Sequence, residues 1–119
     1  RAAAVTLLTM VSTARDARGR LEGAKGLVGK GRAGAASRHE LRRRLSALTS
    51  LLRDVELLAV GSDVKELANA DIEDGLEGLV RAYGGGRALK AFAAVDRARG
   101  AVESNVSPKV VADWLALQL

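Results

Sequence analysis

Cysteine is absent from this chain, which excludes disulfides and thiolate metal sites and fits a cytoplasmic protein. Aromatic residues make up only 3% of it. A β-sandwich asks for more aromatic and β-branched residues, so the dominance of Ala, Leu, Gly and Val favours closely packed helices. Charges or glycines interrupt every apolar stretch, and no run approaches the length of a membrane span. Histidine occurs once, as His39. Without a second His or any Cys beside it, a metal-binding or nucleophile-activating role has no partners to work with, and no Ser sits in a nucleophile elbow. Glu73, Asp74 and Glu77 fall on a polar helix face, where solvation accounts for them. The chain is therefore read as carrying no catalytic site, no metal site and no cofactor of its own.

What is present is one modest domain. The 119 residues suffice for a single core and are too few for two. The net charge of +5 is unevenly placed. Residues 1–60 hold twelve Lys/Arg against five Asp/Glu, a net +7, and residues 61–119 hold seven against nine, a net −2. That asymmetry permits a basic surface towards nucleic acid or an acidic partner without requiring either. The apolar segment after Arg1 looks superficially like a signal peptide but lacks a cleavage region. With no Met at the start, it is read as the beginning of an excised fragment, not a targeting sequence.

The stretch that organises the rest is a helix expected over residues 40–59. Ser37-Arg38-His39-Glu40 reads as a capping box at its start. Leu41, Leu45, Leu48, Leu52, Val55 and Ala59 recur at spacings of four and three, one narrow stripe, and Gly61 supplies the stop. Before it, residues 1–13 predict a short lead-in helix and residues 14–28 a second one. Gly19, Gly23 and Gly26 each cost that second helix about 1 kcal/mol relative to Ala. Either they let another helix approach closely or the segment frays. After the organising helix, a turn of helix is expected near residues 64–67. Asp71 caps a helix striped by Ile72, Leu76, Leu79, Val80 and Tyr83, and Gly84-Gly85-Gly86 breaks it. Residues 87–103 give a helix with a small-residue core face (Ala91, Val95, Ala98, Val102) and Phe92 at its margin, ended at Asn105. Ser107-Pro108 opens the last helix, the Ser as cap and the Pro at the first helical position. Val110, Val111, Trp114 and Leu117 lie on one side of it and Leu115, Ala116 and Leu119 on the other. A helix apolar nearly all round is either central in a bundle or covered by a partner. Period-two alternation is missing throughout, so the expected fold is all-α, a single bundle of five to six helices.

Three further patterns bear on function. Gly29-Lys30-Gly31-Arg32-Ala33-Gly34 formally matches a dinucleotide-binding glycine pattern, yet a helix precedes it and no strand follows, so it is read as a connector. Arg42-Arg43-Arg44, with Arg38 one turn earlier, is the best candidate for DNA-backbone or acidic-partner contact. Three consecutive helical residues fan over about 200° and form no single stripe, no aromatics interleave to stack bases, and a plain solvated face is the competing reading. Arg53 and Asp54 are adjacent and cannot face each other on a helix. Each is expected to reach a different neighbour, as a fold-specifying pair.

Leu51-Leu52-Arg53-Asp54, then Leu67-Ala68-Asn69-Ala70-Asp71, Val95-Asp96-Arg97-Ala98, and Asn105-Val106-Ser107-Pro108-Lys109 running into Asp113-Trp114-Leu115 and Leu117 together resemble the C-terminal domain of bacterial DNA polymerase III clamp-loader subunits. The likeness is greatest to the delta prime type, next to gamma/tau, and covers residues 14–119. It implies a collar domain that follows two AAA+ domains and holds the loader together beside its gamma/tau and delta partners. The loader uses ATP to place the sliding clamp on primed DNA. ATP is then expected only at the AAA+ sites of the complex, and DNA is met only indirectly. This chain has no Walker motif, no Ser-Arg-Cys segment and no zinc cysteines, so the resemblance implies assembly without catalysis. Trp114, Leu115 and Leu119 are the expected subunit contacts, and direct nucleic-acid binding through the Arg-rich helix faces is the alternative.

Overall fold

A computed structural model describes the backbone of residues 2–28, 35–61, 73–84 and 86–119, and all of their side chains except those of residues 2, 3, 35 and 73–75. Six helices and no strand occur among the described residues. They are α1 (Ala2–Thr13), α2 (Ala17–Ala24), α3 (Ala35–Ala59), α4 (Glu73–Ala82), α5 (Arg87–Glu103) and α6 (Pro108–Gln118). The all-α bundle expected from the periodicity is thus the observed architecture. The glycine-patterned connector, the turn near residues 64–67 and the Asp71 cap lie outside the described residues.

The longest helix, α3, packs against α1, α4, α5 and α6. Leu41, Leu45, Leu48, Leu51, Leu52 and Val55 are all buried along it, at 0–1% exposure. Its start differs from expectation. The helix begins at Ala35, so Ser37 sits inside it, buried at 3% exposure, and does not occupy the N-cap. Ala35 and Ala36 favour the helical state and carry it upstream. Glu40 receives Arg44 Nε at 3.0 Å one turn ahead. At the other end Gly61 adopts φ 86 and its amide donates to Leu58 O at 3.0 Å, the left-handed stop that favours glycine.

In α2 the glycine question is answered by contact. Asp16 caps the helix, accepting the Gly19 amide at 2.9 Å. A Cβ built on Gly23 would stand 3.2 Å from both Leu7 Cδ1 and Val11 Cγ1 of α1. Gly23 is the close approach of α1 to α2. The same use of small residues recurs in α5, whose buried face is Ala88, Ala91, Ala94, Val95, Ala98 and Val102.

The end of α5 is built by a left-handed residue. Asn105 has φ 64, its amide donates to Val102 O at 3.3 Å and the Val106 amide to Ala101 O at 3.2 Å, the paired bonds of a Schellman stop. Pro108 then opens α6 at its first turn. Ser107 holds the N-cap position, but its hydroxyl makes no capping bond. Its carbonyl accepts the Val111 amide at 3.0 Å. Residues Val111, Ala112, Leu115, Ala116 and Leu119 form the core face of α6.

The far end of α6 is held by cations and a phenol. Arg87 Nη2 donates to Leu119 O at 3.1 Å and Nη1 to Ala82 O at 3.1 Å. Its guanidinium lies 4.8 Å over the Tyr83 ring. Arg20 Nη1 reaches Ala116 O at 3.5 Å, and the Tyr83 hydroxyl reaches Leu119 O at the same long distance. Positive charge at a helix C-terminus opposes the dipole's negative end.

Burial pushes the Tyr83 phenol up to about 12, against the lowering pull of Arg87 and Arg20. An unfolded tyrosine ionises near its ordinary value of about 10, so above that pH the unfolded chain sheds a proton that the folded one keeps. Stability from this group is complete below about pH 10 and is lost as pH rises towards about 12. Tyr83→Phe should flatten that loss in urea titrations across the window. An equal fall in variant and parent would show that Tyr83 is not its source.

Candidate functional site

The residues singled out in the sequence do not form one site. Arg38, placed one turn into α3, donates from Nη1 to Val102 O and to Val106 O, both at 3.0 Å. It seals the Schellman stop of α5 from the α3 side. Arg42, one turn further, pairs through Nε with Glu103 Oε1 at 2.7 Å. Arg43 lies 3.6 Å from Glu40 Oε2 and is largely exposed. Arg38 and Arg42 reach different groups at one helix end, each through one nitrogen of its guanidinium. Side-chain charge at a helix C-terminus is stabilising for the same reason as at α6. A cleft beside them, lined by Arg42, Ser46, Asp96, Arg99, Gly100 and Glu103, mixes both signs of charge. His39 is exposed on α3.

Arg53 and Asp54 separate as adjacent helical residues must. Arg53 is exposed, whereas Asp54 is fully buried at 0% and is partnered. Among the described side chains no buried polar atom lacks a hydrogen-bond partner, so Asp54 is a satisfied core carboxylate. No group of three or more potential metal ligands occurs among the described residues.

The last helix divides differently from expectation. Leu115 and Leu119 are buried in the chain's own core at 0% and 2% exposure. They offer no surface to a partner, and that part of the contact prediction is corrected. The physical reason is phase: Leu115 and Leu119 stand one turn apart on the same side as Val111 and Ala112, towards α2, α3 and α5. Trp114 falls on the other side, half-buried against the core's edge. Val110 (57% exposed) and Leu117 (43%) flank it at helical spacing, giving an outward apolar stripe opposite the core face.

Beside this stripe runs a groove of about 230 Å³ between α5 and α6, lined by Arg97, Ala101, Val106, Val110, Val111 and Trp114. The Schellman stop carries Val106 back towards Ala101 and so builds one wall. The guanidinium carbon of Arg97 lies over the Trp114 ring, 5.4 Å from the centroid, within cation–π range. Val110 and Leu117 were visible in the sequence as part of an apolar side. The meeting of Arg97 with Trp114 was not, because it depends on how the α5–α6 turn folds back.

No family model, curated protein or solved structure matches this chain. Among the described residues no helix is long and apolar enough to cross a membrane.

The Arg38 geometry predicts a division of labour within the arginine cluster. Arg38→Met keeps an apolar stem but leaves the Val102 and Val106 carbonyls without their charged donor, and should cost about 1 kcal/mol or more in urea unfolding. Arg43→Met should stay within about 0.5 kcal/mol of the parent. Equal effects would remove Arg38 from its capping role.

Proposed function

We propose that this chain is an assembly module, a helical collar domain of a bacterial DNA polymerase III clamp loader, which joins other loader subunits of the gamma/tau and delta types. The observation that carries the reading is the outward stripe of Val110, Trp114 and Leu117 on a helix whose opposite face already fills the core. A large aromatic flanked by exposed aliphatics and an adjoining groove is the composition of an interface centre, where Trp is over-represented among the residues that dominate binding. The ordered motifs noted in the sequence point to the same family of complexes. The contact set on this reading is Val110, Trp114 and Leu117, with Leu115 and Leu119 supporting them from within.

Direct nucleic-acid binding has weaker support, because Arg38 and Arg42 are engaged by carbonyl and carboxylate oxygens of α5 and the loop after it.

Light scattering of the chain, alone and mixed with the helical C-terminal domains of gamma/tau and delta subunits, tests the reading. A mixed species that persists at high salt is expected, since apolar contacts are not screened. Val110→Glu and Leu117→Glu, at exposed positions, should each move the urea midpoint little and abolish the mixed species. Leu115→Ala should instead unfold the chain more easily, by about 2–5 kcal/mol. Duplex DNA binding that weakens steeply with salt, in the absence of any mixed species, would overturn the proposal.

A further inference from the structure

The α5–α6 groove is chemically lopsided. Five of its lining residues are apolar or small, and the single charge, Arg97, stands at one edge. Neighbouring cations are committed elsewhere: Lys109 to Asp113 at 2.7 Å and Arg42 to Glu103 at 2.7 Å. Among the described residues Arg97 has no carboxylate or hydrogen-bond partner, and its contact is with the Trp114 ring. Contact with an indole face leaves the guanidinium's N–H donors available, and those donors match a carboxylate two at a time. The adjoining apolar wall lowers the local dielectric and strengthens such a pair.

We propose that this groove docks a partner segment that inserts a branched aliphatic side chain between Val106, Val110 and Trp114 and presents a carboxylate to Arg97. The inference rests on the assembly reading, for which it specifies the partner's chemistry: an acidic-aliphatic segment. A phosphate backbone fits less well, because a run of phosphates calls for several unpaired cations along its path and the groove holds one. The unmatched guanidinium therefore selects charge, and the pocket beside it selects shape.

Small probes test this without the partner. Isocaproate combines a leucine-like tail with a carboxylate, and isoamylamine offers the same tail with an ammonium. Each is titrated into the isotope-labelled chain while the amide and methyl signals of Val106 and Val110 and the indole signal of Trp114 are followed by NMR. Isocaproate should shift these signals saturably and bind at least about fivefold more tightly than isoamylamine. Leu89, exposed elsewhere on α5, should stay unmoved. Arg97→Gln, at an exposed position, should erase the preference while leaving the residual shifts of the aliphatic tail. Equal binding of the two probes, a preference that survives R97Q, or a groove silent to both would overturn the inference. These outcomes do not depend on subunit mixing. A silent groove beside intact mixed assembly refutes only the proposed chemistry, and a responsive groove without assembly refutes only the collar.

Discussion

One constraint governs the rest of this fold: the leucine stripe of α3 must be covered along its whole length. Six residues from Leu41 to Val55 are almost fully buried, and no single neighbour covers all of them. Four other helices share the task, each with the side chains its position requires. Where α5 meets α3 the contacts are alanines and valines, which let axes approach closely. Where α1 meets α2, Gly23 removes even a Cβ. The core is dense because these facing residues are small, and a large aromatic had little room inside it. Tyr83 is the exception, accommodated at the α6 end where its hydroxyl finds a carbonyl.

Electrostatics follows from the same closure. Helices packed tightly bring their C-terminal carbonyls close to other elements, and those carbonyls need donors. Arg87 supplies Ala82 and Leu119, and arginines of the basic N-terminal half supply others. Arg20 reaches the Ala116 carbonyl of α6 and Arg38 those of Val102 and Val106 at the end of α5, while Arg42 pairs with the Glu103 carboxylate. The charge asymmetry along the sequence is thus partly spent inside the fold, where one half of the chain neutralises helix ends of the other. Composition alone does not reveal which oxygens the donors of a basic stretch will meet.

Much of the architecture was legible in residue spacing. The periods of α3, α4 and α5 marked most of their buried faces, although Ala59 is exposed and Leu51 takes a buried place beside the α3 stripe, and Asn105 and Pro108 marked the turn between the last two helices. Less legible was the start of α3, where Ser37 and Glu40 imitate a cap but Ala35 and Ala36 extend the helix past it. The division of α6 into a core face and an outward face was also hidden. With apolar residues on nearly every side, its phase is fixed by which face the α5–α6 turn presents to the bundle. Leu115 and Leu119 were placed outside for that reason, and the packing turns them in. Trp114 stays at the margin, joined by Val110 and Leu117, and Arg97 reaches it from a helix whose sequence gave no hint of the pairing.

The proposed interface therefore centres on one side chain. Trp114 is the sole tryptophan of the chain, so its indole N–H gives a single NMR signal when only this chain carries the label. The decisive measurement is that signal, recorded before and after adding unlabelled clamp-loader collar domains. The account predicts that it shifts and becomes protected from solvent exchange as the mixed species forms. A mixed species that leaves the indole signal unmoved and still in exchange with water would contradict it.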